Sequence, residues 1–359
     1  MTLAPPKPAS ASYDDTRDLN YIKPRGRRLS EYEAVICYSH PDMNTGYDAG
    51  DWTFRGMDGR LTLDPNNTRL RHPDWLEYRD PSKLWQRTYI KMQTGQEQTI
   101  QAAMDGAERN GSLAEIDPTW LSLLARYYEG FAFLEWGVFR AYASVVREAC
   151  GDTLTMAYGF TAMDHIRHQQ AIALYSLELD EDAGSYQEGL GRAAWLDDPV
   201  YQAARRVVER LIVCTDWAET VVVTNLLLDA LLTNFVVSKF FRRLAPLHGD
   251  PVTAVISITA ENDRARNLAG AIELVKMATA ERDGEGRSVP GAENRAVIQG
   301  WIDRWAPDIL EAVDAFAPVY DLATVGSVKA DDARTQVYAE CQATLADLGL
   351  HLPLREEKP

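Results

Sequence analysis

The sequence predicts an all-α fold, a helical bundle preceded by an extended and largely irregular arm. From about residue 81 onward, apolar residues recur at spacings of three and four, as on one face of a helix. The breaks between these stretches are short clusters of Gly, Pro and Asp, and no stretch shows the alternation of a half-buried strand. At 359 residues, 46% of them hydrophobic, the chain can bury a sizeable core.

Residues 1–85 are the arm. They are rich in Pro, Gly, Asp, Asn and Arg, and the run HPDMNTGYDAGDWTFRGMDGRLTLDPNN is dense in turn formers. The arm also carries Tyr32, Tyr38, Tyr47, Trp52, Phe54, Trp75 and Tyr78. Aromatics are scarce in disordered tails, so the arm reads as extended chain laid over another surface. Residues 86–359 form the helical domain, and the periodicity places helices at about 81–109, 117–149, 153–179, 198–213, 215–246, 251–281, 292–323 and 331–348.

Composition excludes several functions. A net charge of -16 opposes nucleic-acid backbones and anionic lipid surfaces, so neither nucleic acid nor membrane is an expected partner. Cys37, Cys150, Cys214 and Cys341 are scattered and form no CxxC pair, which suits a reducing cytoplasm. The start, MTLAPPKPASASYDD, has no charged region followed by an apolar one, so no secretory signal is expected and the chain reads as cytoplasmic. The most apolar run, VVVTNLLLDALLTNFVV at 221–237, contains Asn225, Asp229 and Asn234, and reads as a buried helix rather than a membrane span.

Two long hairpins, 117–179 and 215–281, make a four-helix bundle. Where bundles of this kind carry a di-iron centre, two helices give one Glu each and the other two give Glu-x-x-His. On the first helix, Leu124, Tyr128, Phe131, Glu135, Val138 and Tyr142 form one stripe, which puts the Glu135 carboxylate inside. On the second, within AMDHIRHQQA, His165 and His168 share a face with Thr161, Ile172 and Tyr175. On the third, Asp229 lies on the stripe of Val222, Asn225, Leu226, Leu232 and Val236. The fourth stripe is read as Val255, Ile258, Asn262, Ala265, Ala269 and Ile272, with neither carboxylate nor imidazole. Glu135, His165, His168 and Asp229 are therefore expected to form a structural polar cluster, with no catalytic, cofactor-binding or metal-ligating residue in this chain. The alternative is a metal-binding enzyme that uses those four residues itself.

Four segments, YRDPSKLWQRTYIKMQTGQE, MDHIRH, DALLTNFVV and AVIQGWIDRWAPDI, together resemble the β, or small, hydroxylase subunit of the soluble bacterial di-iron monooxygenases, in the branch that oxidises toluene, phenol and alkenes. The resemblance spans most of the chain and implies a ferritin-like fold without the metal that the large subunit carries. Against the large subunit's ligand pattern, Glu135 and His168 are retained. His165 and Asp229 stand in Glu positions, and Asn262 and Ala265 replace the last Glu and His. The family implies that the di-iron centre sits in a large α subunit and that two αβ pairs form the hydroxylase, and the arm at 1–85 is the element assigned to wrapping the large subunit. The family also implies a γ subunit in some members, an effector protein and an NADH-dependent reductase. The assembled enzyme would insert one oxygen atom of O2 into an alkene or aromatic hydrocarbon, because the RTYIKMQTGQE region looks more like that branch than the methane branch.

Overall fold

The structure, a computed structural model, describes residues 29–37, 59, 64–187, 189–326 and 328–353. The helices are α1 (Gln86–Arg109), α2 (118–148), α3 (Asp152–Asp182), α4 (Leu190–Asp197), α5 (Pro199–Ile212), α6 (217–244), α7 (Thr253–Thr279), α8 (Gly291–Phe316) and α9 (Ala330–Asp347). Among the described residues there is no strand beyond one isolated bridge between Arg282 and Ser288.

Local sequence sets where these helices begin. Asp117-Pro118 and Asp198-Pro199 open α2 and α5, where the Asp carboxylate accepts a hydrogen bond from the backbone N–H two residues on. Proline fits the first helical position because its missing N–H is unpaired there in any residue. Asp216 caps α6 through the backbone N–H groups of Ala218 and Glu219. Asp250, fully buried, accepts from Val252 N and Thr253 N ahead of α7, and also from Trp120 Nε1 at 2.9 Å and Tyr175 Oη at 2.8 Å. That one carboxylate joins three helices of the bundle.

Helices α2, α3, α6 and α7 form the bundle. The expected stripe on α2 is buried throughout, from Leu124 to Tyr142, as is the α3 stripe of Thr161, His165, His168, Ile172 and Tyr175. Gly137 lets α5 approach α2: a Cβ there would sit 2.0 Å from Val208 Cγ1. Helix α6 contains a long π-helical segment, Val223–Phe241, and is apolar nearly all round. Trp217–His248 is long and apolar enough to cross a membrane, but 89% of its most apolar window is buried in the protein. Its Phe235, Phe240 and Phe241 cluster with Phe316 of α8, each burial contributing about 1.5–3 kcal/mol.

Two expectations need correction. Helix α4 was not foreseen, because eight residues give little more than two turns of periodicity. The helix expected to 323 ends at Phe316 and continues as the 3-10 segment Ala317–Leu322, where Pro318 breaks the α-helical hydrogen bonding. The described part of the arm lies on this chain's own bundle. Trp75 packs edge-on against Trp217 with ring centroids 5.3 Å apart. Tyr78 Oη donates to Gly270 O at 3.1 Å, and Tyr32 Oη accepts from Asp80 N at 3.0 Å. Tyr32, Trp75 and Tyr78 are buried within the chain. Tyr38, Tyr47, Trp52 and Phe54 lie outside the described residues.

Candidate functional site

The centre of the bundle is a buried polar cluster. Glu135 on α2 is fully buried, and His165 and His168, one turn apart on α3, face it. Glu135 Oε2 lies 2.6 Å from His165 Nδ1 and 3.6 Å from His168 Nδ1. Donor atoms of these three residues lie within 4.8 Å of one another, close enough to surround one ion. Asp229, on α6, accepts from Thr233 Oγ1 at 3.0 Å.

Helix α7 supplies what the sequence reading missed. Asn262 and Ala265 are exposed and do not enter the cluster; the buried face of α7 is Ile256, Ala260, Asp263, Asn267, Ala271 and Leu274. The expected stripe was displaced by one to two positions, since α7 carries apolar residues on both faces. Asp263, 1% exposed, lies 3.3 Å from His168 Nε2. Arg264 extends its guanidinium between the two carboxylates, donating to Glu135 Oε1 at 2.5 Å with its Nε 4.0 Å from Asp229 Oδ1.

Arg264 decides what the cluster can hold. Its fixed positive charge stands where the Glu135 and Asp229 carboxylates would otherwise draw a metal ion. Two unit charges 4 Å apart repel by about 4 kcal/mol at an effective dielectric constant of 20. A di-iron centre also needs a second Glu-x-x-His pair, and the residues that α7 turns inward here, Asp263, Arg264 and Asn267, supply none, while Asn262 and Ala265 face outward. The residues present do not fit a di-iron centre.

The protonation pattern follows the geometry. Burial pushes the Glu135 carboxyl up, but Arg264 and the hydrogen bonds from His165 and His168 outweigh it and hold Glu135 well below the usual carboxylate range. Burial raises the pKa of Asp229, with His165 and Arg264 only partly opposing. Burial works against the charged form of His168, yet its hydrogen bonds to Asp263 and Glu135 leave its pKa raised. The cluster holds its protons through internal ion pairs, as a structural network does.

A second network locks α1 onto α3 and α7. Gln93 Nε2 donates to Asp164 Oδ1 and to Asp263 Oδ1, each at 3.0 Å, and Tyr89 Oη donates to Asp164 Oδ1 at 2.9 Å. Asn267 Nδ2 reaches Asp164 Oδ2 at 3.0 Å, and Arg266 bridges Asp164 and Asp263. Asp263 belongs to both networks, so the docking of α1 and the histidine cluster are coupled.

A ferritin-like bundle that keeps Glu135 and His168 but sets an arginine among its carboxylates marks a relative of the di-iron hydroxylases. Residues 52–282 match the Methane/Phenol/Alkene Hydroxylase family, and the chain belongs to that family. It is 29% identical over 332 residues to the methane monooxygenase component A beta chain of Methylosinus trichosporium, covering 90% of this chain and 82% of that one. It is 25% identical over 344 residues to the propane 2-monooxygenase hydroxylase small subunit of Mycolicibacterium goodii, covering 96% and 92%. The structure superposes on phenol hydroxylase from Pseudomonas sp. OX1 with a TM-score of 0.76 at 20% identity, over 91% of this chain and 92% of that one, which shows a shared fold.

Proposed function

We propose that this chain is the non-catalytic, structural β subunit of the hydroxylase component of a multicomponent di-iron monooxygenase. A large α subunit would carry the di-iron centre, and two αβ pairs, in some assemblies with a small γ subunit, would form the hydroxylase. An effector protein and an NADH-dependent reductase would act on that assembly in the cytoplasm. The enzyme would insert one atom of O2 into a hydrocarbon, and we assign alkenes or aromatics as the class from the RTYIKMQTGQE resemblance. The named relatives act on methane and propane, and their similar identities do not separate the branches.

The observation that carries this reading is Arg264 between Glu135 and Asp229, which turns a ligand position into an internal ion pair. The chain keeps the shape of a catalytic bundle while its centre serves stability. Co-expression with a large subunit that has both Glu-x-x-His motifs tests it. The expected result is a stable heteromeric hydroxylase with turnover, and no turnover from either chain alone. A homogeneous monomer in native mass spectrometry of the natively expressed operon would contradict it.

A second reading, a metal-binding enzyme in its own right, draws on the convergence of Glu135, His165 and His168 within 4.8 Å, with Asp229 as a fourth ligand. Stoichiometric iron in the isolated chain, lost in His168→Ala, would favour it.

A further inference from the structure

Helix α3 turns a second stripe away from the bundle. Met156, Met163, Ile166, Gln170, Leu174 and Leu177 follow helical spacing along one face, and Met163, Leu174 and Leu177 are 48%, 53% and 49% exposed. The stripe is about 30 Å long and carries no charge, on a chain whose net charge is -16. Trp136 on α2 and Ile90 on α1, also exposed, flank it. An apolar surface of this extent marks an interaction site. The surrounding charges indicate with what.

Helix α1 lies beside this stripe and runs parallel to α3. Tyr89 near its start donates to Asp164, Glu97 at its middle pairs with Arg167 at 2.6 Å, and Asp105 and Glu108 near its end crowd Glu178. Its charges are sorted by end. Arg87 and Lys91 stand in the first two turns, just after Lys83, and Asp105 and Glu108 in the last two, beside Glu178 and Glu181 of α3. None of them forms an ion pair with another described residue. Burial pushes the Glu178 carboxyl up, and repulsion from Glu108, Glu181, Asp182 and Asp105 pushes it further. Arg109 is outnumbered at that end.

The apolar stripe and the charge gradient share a centre. Arg87 lies ten residues before Glu97 and Glu108 eleven after it, while Met156 lies eleven before Arg167 and Leu177 ten after it. Glu97 and Arg167 are paired, so a two-fold axis through this point, perpendicular to the helices, returns the stripe onto itself. The same rotation lays the basic start of α1 on the acidic end of α1 in a second molecule, twice over. A closed two-fold contact requires such self-complementarity. A parallel arrangement of the two copies would set acid on acid, which opposite-charge pairing avoids and which fixes the register.

We propose that the outer face of α1 and α3 joins two copies of this chain in an antiparallel two-fold contact, with Arg87 of each copy facing Glu108 of the other. The contact needs no large subunit, so it goes beyond the β-subunit reading and is tested separately from it.

Sedimentation equilibrium of the full chain tests it, with helical content by circular dichroism confirming that each variant folds. The expected result is a reversible dimer that weakens as salt is added. Arg87→Glu and Glu108→Arg alter exposed side chains, and each should weaken the dimer on the order of tenfold, because the two-fold counts every change twice. The double variant Arg87→Glu, Glu108→Arg restores the pair in reverse and should recover most of the lost affinity. Met163→Glu, near the axis, should abolish the dimer, while the control Val213→Glu, between α5 and α6 and 73% exposed, should leave it intact. A wild-type chain that stays monomeric through the micromolar range would overturn the proposal, as would a dimer indifferent to Met163→Glu. A double variant weaker than either single would overturn it as well, because neither residue would then face the other across the two-fold. Loss of a heteromer with the large subunit in Met163→Glu, where the chain alone forms no dimer, would assign the face to that subunit instead and likewise overturn it.

Discussion

Replacing Arg264 with methionine removes the cation between two buried carboxylates while keeping most of the aliphatic volume. Glu135 is fully buried and the Arg264 side chain is 11% exposed, so solvent compensates little. Removing one partner of a buried ion pair typically costs about 3–5 kcal/mol, because the other charge stays buried and uncompensated. His165 at 2.6 Å and His168 at 3.6 Å can take up part of that charge, which favours the lower end, about 3 kcal/mol. With a urea m-value of about 3 kcal/mol/M, the midpoint should fall by about 1 M. Urea unfolding of the chain, followed by far-ultraviolet circular dichroism, reads this directly. The double variant Arg264→Met, Glu135→Gln removes both charges and should recover much of the loss, giving a coupling well above 1 kcal/mol. A single variant as stable as the wild type, or a double variant no better than the sum of the singles, would refute the ion-pair reasoning.

Other substitutions and pH test the same packing. Gly137→Ala forces a methyl group into Val208 and should cost about 1–3 kcal/mol in thermal or urea unfolding, with Val208→Ala restoring part of it. Gln93→Ala removes the α1 side chain that bridges Asp164 and Asp263, costing about 1–3 kcal/mol and speeding amide exchange in α1 before the rest of the bundle. Two opposing shifts govern pH dependence. Glu135 is held below its unfolded value, so its stabilisation is present above about pH 4 and lost as pH falls through the depressed value. His168 is raised, so its stabilisation is present below about pH 6.5 and lost as pH rises through the raised value. His168→Gln should abolish the loss on the alkaline side and leave the acid side in place, measured as unfolding midpoint against pH.

Most of the helical frame was legible because the stripes read on α2 and α3 are buried along their length, so Glu135, His165 and His168 could be set on a core face from spacing alone. Asp229 was placed correctly on α6, although a helix buried almost all round would have made nearly any phase look right. Helix α7 was the failure. Ile258 and Ile272 gave as good a stripe as Ile256 and Leu274, and periodicity cannot choose between two apolar faces. The choice lay in the polar residues: Asp263 and Arg266, three apart, pair with each other, and Arg266 also pairs with Asp164. Arg264 was invisible for a different reason. An arginine on a helix reads by default as solvent-facing, and only tertiary structure shows its head group turned in toward Glu135.

Anomalous X-ray diffraction at the iron edge, from crystals of the assembled hydroxylase, tests most directly whether this chain lends structure while its partner holds the metal. The expected map has strong iron peaks only among the large subunit's ligands and none beside Glu135, His165 and His168. An iron peak within bonding distance of those three side chains, with Arg264 displaced from Glu135, would contradict the assignment.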